Sequence, residues 1–172
     1  MAGIGALAHG NDIGGSLRFP AAATGAVTVK PGLGRVAVWN PSQTIERGPL
    51  AQSMSVQGLI ARNAKDLHLA MPSLITPDPH DPFHTPLPWR GDPLEKPIRV
   101  AVSRDEFGFG MHADVATALD NAAAALVDAG YALEEVDPPM AREAGEVGYR
   151  ALLSEVKALL GPDIEQHGSP GM

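Results

Sequence analysis

The stretch GNDIGGSLRFPAAATG, Gly10 to Gly25, sets two adjacent glycines directly before Ser16 and an arginine two positions after it. A serine hydroxyl is a weak nucleophile until a base takes its proton, and the tetrahedral intermediate it forms needs donors around its oxyanion. The N–H groups of Ile13, Gly14, Gly15 and Ser16 follow one another here. Glycines at 14 and 15 admit backbone angles that let successive amides converge on one anion. Asp12 and Arg18 flank the run and are expected to form a charge-assisted pair that holds the loop. That constellation fits acyl transfer. A GGS tripeptide is also common in plain turns, so by itself it leaves both readings open. A phosphate loop is excluded, because G-x-G-x-x-G spacing and the Walker lysine are both missing. Arg18 stands where the G-x-S-x-G elbow requires its second glycine.

Working outward, the chain has 172 residues, 44% of them hydrophobic, enough for a domain with its own core. Its 19 glycines and 16 prolines point to a compact protein with many loops. A net charge of −7 without any basic run argues against a nucleic-acid partner or an anionic membrane surface. With no cysteine there is no disulfide framework, thiolate zinc site or cysteine nucleophile. The first residues lack the basic and apolar blocks of a leader or a membrane span, so a soluble, cytoplasmic protein is expected.

Residues 26–31, AVTVKP, alternate as a short strand with Val27 and Val29 on one face. Within 53–71, the spacing of Ile60, Ala64, Leu67 and Met71 predicts a helix beginning near Gly58. Eight prolines from Pro72 to Pro97 then predict an irregular excursion over 72–97. Beyond it, IRVAVS (Ile98–Ser103) alternates as a strand. Residues 113–130 place Val115, Leu119, Ala122 and Leu126 on one helical face, with Gly130 suited to C′. YALEEVDPP supplies a second strand, making 98–136 a right-handed βαβ unit with parallel strands. A last helix is expected over about 146–160, from the repeat of Tyr149, Leu152, Val156 and Leu160. The apolar opening and the unpartnered last helix lead to the expectation of a fragment.

The longer string Gly10–Val36, GNDIGGSLRFPAAATGAVTVKPGLGRV, resembles the second half of the amidase signature, the segment that defines the amidase-signature serine hydrolases. The likeness rests on D-x-G-G-S-x-R-x-P-A from Asp12 and on G-x-x-x-x-K-P-x-x-G-R from Gly25. More loosely, VQGLIARNAKDLHLAM resembles the helix that follows in that family, and 98–136 resembles its next crossover. The resemblance implies an α/β fold in which helices cover a mixed, mostly parallel central sheet. Residues 1–172 would be a partial amidase domain, with 1–36 the second half of the signature.

The resemblance also implies roles. Ser16 corresponds to the acylated nucleophile of a Ser–cis-Ser–Lys triad, and the amides of Ile13, Gly14, Gly15 and Ser16 to its oxyanion hole. Asp12 and Arg18 match residues that brace the loop, while Asn11 stands where a threonine is more usual. The implied reaction is hydrolysis of a small-molecule carboxamide to acid and ammonia, with no cofactor and no metal. A homodimer is one expectation for the full-length parent. In the family the cis-serine and the lysine lie upstream of the nucleophile, where MAGIGALAHGNDIGG offers neither. Lys30 matches the structural lysine of K-P-x-x-G-R instead. The chain alone is therefore expected to be inactive.

Two alternatives stand beside this reading: a non-catalytic fragment serving as a structural or binding module, and a fragment of an amidotransferase A-type subunit. The low basic content weighs against a tRNA-linked role. His9 is better read as a packing or hydrogen-bonding residue than as a base. His80, Asp81 and His84 have a spacing that a metal accepts, but they sit in a proline-ruled segment. Trp39 and Trp89 either line an acyl pocket or pack, with packing favoured. Residues 104–112 follow the C-terminal end of a parallel strand, where α/β proteins tend to bind ligands.

Overall fold

A computed structural model describes residues 3–43 and 47–169. The chain divides into two units, one of residues 1–91 together with 152–172 and one of residues 92–151.

The first unit is built on a three-stranded sheet in the order β1-β3-β2, from β1 (Leu7–Asp12), β2 (Val27–Thr28) and β3 (Val56–Ala61). Both pairings are antiparallel, with Gly10 opposite Gly58, Asp12 opposite Val56 and Val27 opposite Ala61. The expected strand over 26–31 forms only at Val27 and Thr28. Residues 58–61 were expected at the start of a helix and instead belong to the central strand, Val56–Ala61. The helical spacing from Ile60 was a coincidence of a strand running into a helix, because Val56, Gly58, Leu59 and Ala61 are all buried. Burial on both faces removes the alternation that marks a half-covered strand. The helix starts at Asn63, whose side-chain oxygen accepts the Asp66 N–H at 2.9 Å. From that cap α3 (Ala64–Leu74) continues through Pro72, so the irregular excursion begins after Leu74.

Leu67 and Met71 of α3 pack on Leu59 and Ala61 and on Val36, with Val27, Val29 and Trp89 around them. The opposite face of β3 receives Leu17, which is fully buried. A Cβ at Gly58 would lie 2.6 Å from the Val29 carbonyl oxygen and 2.7 Å from a Leu17 methyl, and one at Gly10 would lie 2.9 Å from the other Leu17 methyl. The facing glycines thus form the slot that seats Leu17, and Leu17 follows Ser16 directly. Gly58→Ala is expected to cost about 1–3 kcal/mol, since backbone must shift. Gly10→Ala should cost less, because only a side chain must yield. Urea midpoints of the two variants check this order, and equal midpoints would remove the slot from the account.

Two short helices complete the parts that matter for the site. Helix α1 (Arg18–Thr24) closes at Gly25 in the left-handed conformation, with φ of 65°. Helix α2 (Pro49–Met54) has its first amides, those of Leu50 and Ala51, held by the Glu155 carboxylate at 2.9 and 2.8 Å. Glu155 lies on α5 (Ala141–His167), a helix longer at both ends than the one expected over 146–160.

In the second unit, β4 (Arg99–Val102) and β5 (Ala132–Glu135) pair in parallel across α4 (Ala113–Asp128), as the βαβ reading expects. Parallel pairing is thus found in this unit, and the three-stranded sheet of the first unit is antiparallel throughout. No residue of α4 is fully buried, and its half-covered side is Ala116, Leu119, Ala123 and Leu126, one register away from part of the expected stripe. None of the described helices is long and apolar enough to cross a membrane.

Candidate active site

The site forms where β1 ends. Asp12, its last residue, is completely buried beneath the turn that follows. One carboxylate oxygen accepts the Gly15 N–H at 2.8 Å, and the other accepts the amides of Leu17 at 3.1 Å and Arg18 at 3.4 Å. The Arg18 guanidinium closes the arrangement with a two-pronged bond, Nε to Oδ2 at 3.0 Å and Nη2 to Oδ1 at 2.9 Å. Residues 13–18 therefore wrap around one anion. The Arg18 hydrogen bond, helped by the Leu17 and Gly15 amides, holds the Asp12 carboxyl far below the usual carboxylate range, against the opposing effect of burial. Asp12 in turn raises the Arg18 guanidinium above its ordinary value.

This geometry sorts the two glycines. Gly15 has φ of +131°, a conformation that residues with side chains rarely adopt, and a Cβ there would strike the Phe19 ring. Gly14 meets nothing within 4 Å and carries no left-handed angle, so only one of the pair is required by the backbone.

Ser16 is exposed, and no described residue hydrogen-bonds its hydroxyl. The amides of Ile13, Gly14 and Ser16 have no acceptor among the described residues. The Gly15 amide departs from the expected oxyanion hole, because the buried Asp12 carboxylate, the nearest anion, has already taken it. What remains is an accessible hydroxyl, next in sequence to amides that meet no acceptor among the described residues, on a turn held by Asp12, Arg18 and Leu17. No general base stands within hydrogen-bond reach among the described residues.

The other candidates separate. His9 lies on β1 three residues before Asp12, roughly 10 Å back along the strand, and is exposed rather than packed. His80 bonds Asp78 at 2.9 Å and stacks on Trp39, while both Asp81 oxygens accept backbone amides, from Val38 and Phe83 at 2.8 Å each. No three His, Cys, Asp or Glu side chains are gathered for a metal among the described residues. Trp89 packs on the core and donates to His68 Nδ1 at 2.8 Å, whereas Trp39 stands about half exposed beside a cavity.

Sequence reasoning missed a second set of residues at this end of the sheet. The Asn11 side chain donates to Ser55 Oγ at 2.6 Å and to the Val56 carbonyl at 3.2 Å, tying the end of β1 to the start of β3. Arg47 donates to the same Ser55 oxygen. Asn11 and Ser55 are 44 residues apart, and only the strand register brings them together. The one sequence signal was Asn11 in place of a threonine.

Known proteins resemble this chain in sequence and in fold. The family model described as Amidase matches residues 2–166. An indoleacetamide hydrolase of Bradyrhizobium japonicum is 46% identical over 138 residues, covering 80% of this chain and 30% of that protein. The A-type subunit of the glutamyl-tRNA(Gln) amidotransferase of Moorella thermoacetica is 34% identical over 143 residues, covering 80% of this chain and 28% of that protein. A solved bacterial aryl acylamidase, described as belonging to the amidase signature enzymes, superposes with a TM-score of 0.71 over 96% of this chain and 34% of its own, at 23% identity. That likeness carries the α/β fold, seen here as a partial domain. The chain spans less than a third of the length of the curated relatives it matches.

Proposed function

The chain belongs to the amidase family, and from that premise we propose that it supplies the acylated serine and the oxyanion amides of an enzyme hydrolysing a carboxamide to acid and ammonia. The observation that carries the proposal is the Ser16 turn: an exposed hydroxyl, with amides at Ile13, Gly14 and Ser16 that meet no acceptor among the described residues, held by the buried Asp12 carboxylate and its half-exposed partner Arg18. In this reaction the Ser16 oxygen attacks the amide carbon, and its proton leaves through a base. The amides receive the developing oxyanion, the base hands the Ser16 proton to the amide nitrogen, and the C–N bond breaks to release ammonia. Water then cleaves the acyl ester and restores the hydroxyl. The family's lysine and second serine, which would supply the base, correspond to nothing near Ser16 among the described residues.

The indoleacetamide hydrolase relative supports an amide with a bulky acyl group as substrate. The net charge of −7 speaks against the tRNA-linked reading suggested by the amidotransferase relative.

The test is a chimera in which residues 2–166 replace the matching segment of the 46%-identical hydrolase, so that the relative contributes the missing groups. Ammonia release from a primary carboxamide by the chimera, with none above background from the 172-residue chain, is expected. A fluorophosphonate should likewise label Ser16 stoichiometrically in the chimera and only slowly in the chain. An inactive, folded chimera, or rapid labelling of the chain alone, would refute the proposal.

A further inference from the structure

Phe19 occupies an unspecified position of D-x-G-G-S-x-R-x-P-A, and the chemistry above gives it no part. Its ring is 71% exposed, so it adds little to the core, yet it stands directly against Gly15. A Cβ on Gly15 would lie 2.6 Å from Cδ2 of that ring and 2.9 Å from Cζ, with Cε2 closer still. We infer that Phe19 is a positioning residue for acylation: its ring keeps Gly15 in the backbone conformation that aims the Ser16 N–H at the oxyanion. The inference rests on the amidase reading and adds to it the side chain that aligns one of its donors.

Three contacts meet at Gly15. Its N–H donates to the Asp12 carboxylate at 2.8 Å, which orients the peptide joining Gly14 to Gly15. Its carbonyl accepts the Phe19 N–H, also at 2.8 Å, which orients the peptide joining Gly15 to Ser16. In a trans peptide the N–H and C=O point in opposite directions. The Ser16 N–H is therefore turned away from the Phe19 amide, and it finds no acceptor among the described residues. Gly15 alone links the two peptide planes, at φ of +131°. Glycine visits other conformations at little cost, and a turn at Gly15 that kept the Asp12 bond would carry the Ser16 N–H elsewhere. The third contact opposes that turn. The Phe19 ring lies where a Gly15 side chain would stand, so the backbone cannot rotate toward it without displacing it. An oxyanion donor works best when it is already aligned, because nothing then has to reorganise as charge develops.

The 172-residue chain reports this geometry without turnover. In the wild type, the ring current should displace one Gly15 Hα resonance, and the Gly15 and Ser16 amides should each give one sharp signal. Phe19→Ala should broaden both amides by exchange. Phe19→Leu, whose methyl reaches the place of Cδ2, should lose the ring-current shift but keep the amides sharp. A Gly15 Hα that feels no ring in the wild type, or amides equally sharp in the alanine variant, would overturn the proposal. The wild-type proton shift decides the contact even where Phe19→Ala does not fold. In the chimera, Phe19→Ala should lower kcat about 10–100-fold, less than the roughly 10²–10³-fold that loss of a whole oxyanion donor costs. KM should change little, and Phe19→Leu should restore most of kcat. A higher KM at constant kcat would make the ring a substrate contact instead, and an unchanged kcat would remove it from the step; either overturns the inference. An active chimera indifferent to Phe19→Ala sinks this inference alone. An inactive chimera, beside amides that broaden in the alanine variant of the chain, sinks the amidase reading alone.

Discussion

Ser16→Ala in the chimera should lower amide hydrolysis by about 10⁴–10⁶-fold, the range seen when a serine hydrolase loses a member of its triad. The oxyanion amides belong to the backbone and survive the substitution, so the residual rate reports what they and substrate binding do without covalent catalysis. Because Ser16 is exposed and unbonded, the change removes no packing and no hydrogen bond. The melting curve should stay in place while kcat falls and KM changes little. Matched losses in kcat and stability would mean that Ser16 is part of the scaffold, and near-normal kcat would mean that another group is acylated.

The second large effect is expected at Asp12, and it is a loss of stability. Asp12→Asn keeps the shape but replaces one oxygen with an NH₂ group that faces donors from Gly15, Leu17 and Arg18. Leaving buried donors without their acceptor costs about 1–3 kcal/mol, and the half-exposed Arg18 adds little because water can take its place. Here the orphans are the amides that shape the Ser16 turn, so the turn loosens along with the fold. The pH dependence has a fixed sign. The native Asp12 carboxyl titrates well below the ordinary 3.8, so its contribution is complete above that value and fades as pH falls toward the native one. Denaturant melts at pH 7 and pH 3 should therefore show a smaller gap between wild type and Asp12→Asn at the acid end. A gap that widens in acid would contradict the assigned role.

The parts of the molecule that were legible in the sequence are local. DIGGSLR places a carboxylate, two glycines, a hydroxyl and a guanidinium within seven residues, and both the Asp12–Arg18 pair and the exposed serine follow from that order. The βαβ unit was equally legible, since strand, helix and strand each carry their own period. What was hidden depends on register. Gly58 looks like a helix start until it is set opposite Gly10, where the two glycines make room for Leu17. The Gly15 amide was assigned to an oxyanion because a sequence cannot show that Asp12 folds back beneath it. Asn11, Arg47 and Ser55 converge only because β1 and β3 pair antiparallel and Glu155 pins the helix between Arg47 and Ser55.

The account depends on a buried carboxylate bending the chain so that an exposed hydroxyl stands among unclaimed amides. A crystal structure of the chimera with Ser16 phosphonylated tests this most directly. The predicted result is a phosphonyl oxygen about 3 Å from at least two of the Ile13, Gly14 and Ser16 nitrogens, with the Asp12–Arg18 pair intact beneath. A phosphonyl oxygen that meets only solvent, or an adduct on a residue other than Ser16, would contradict it.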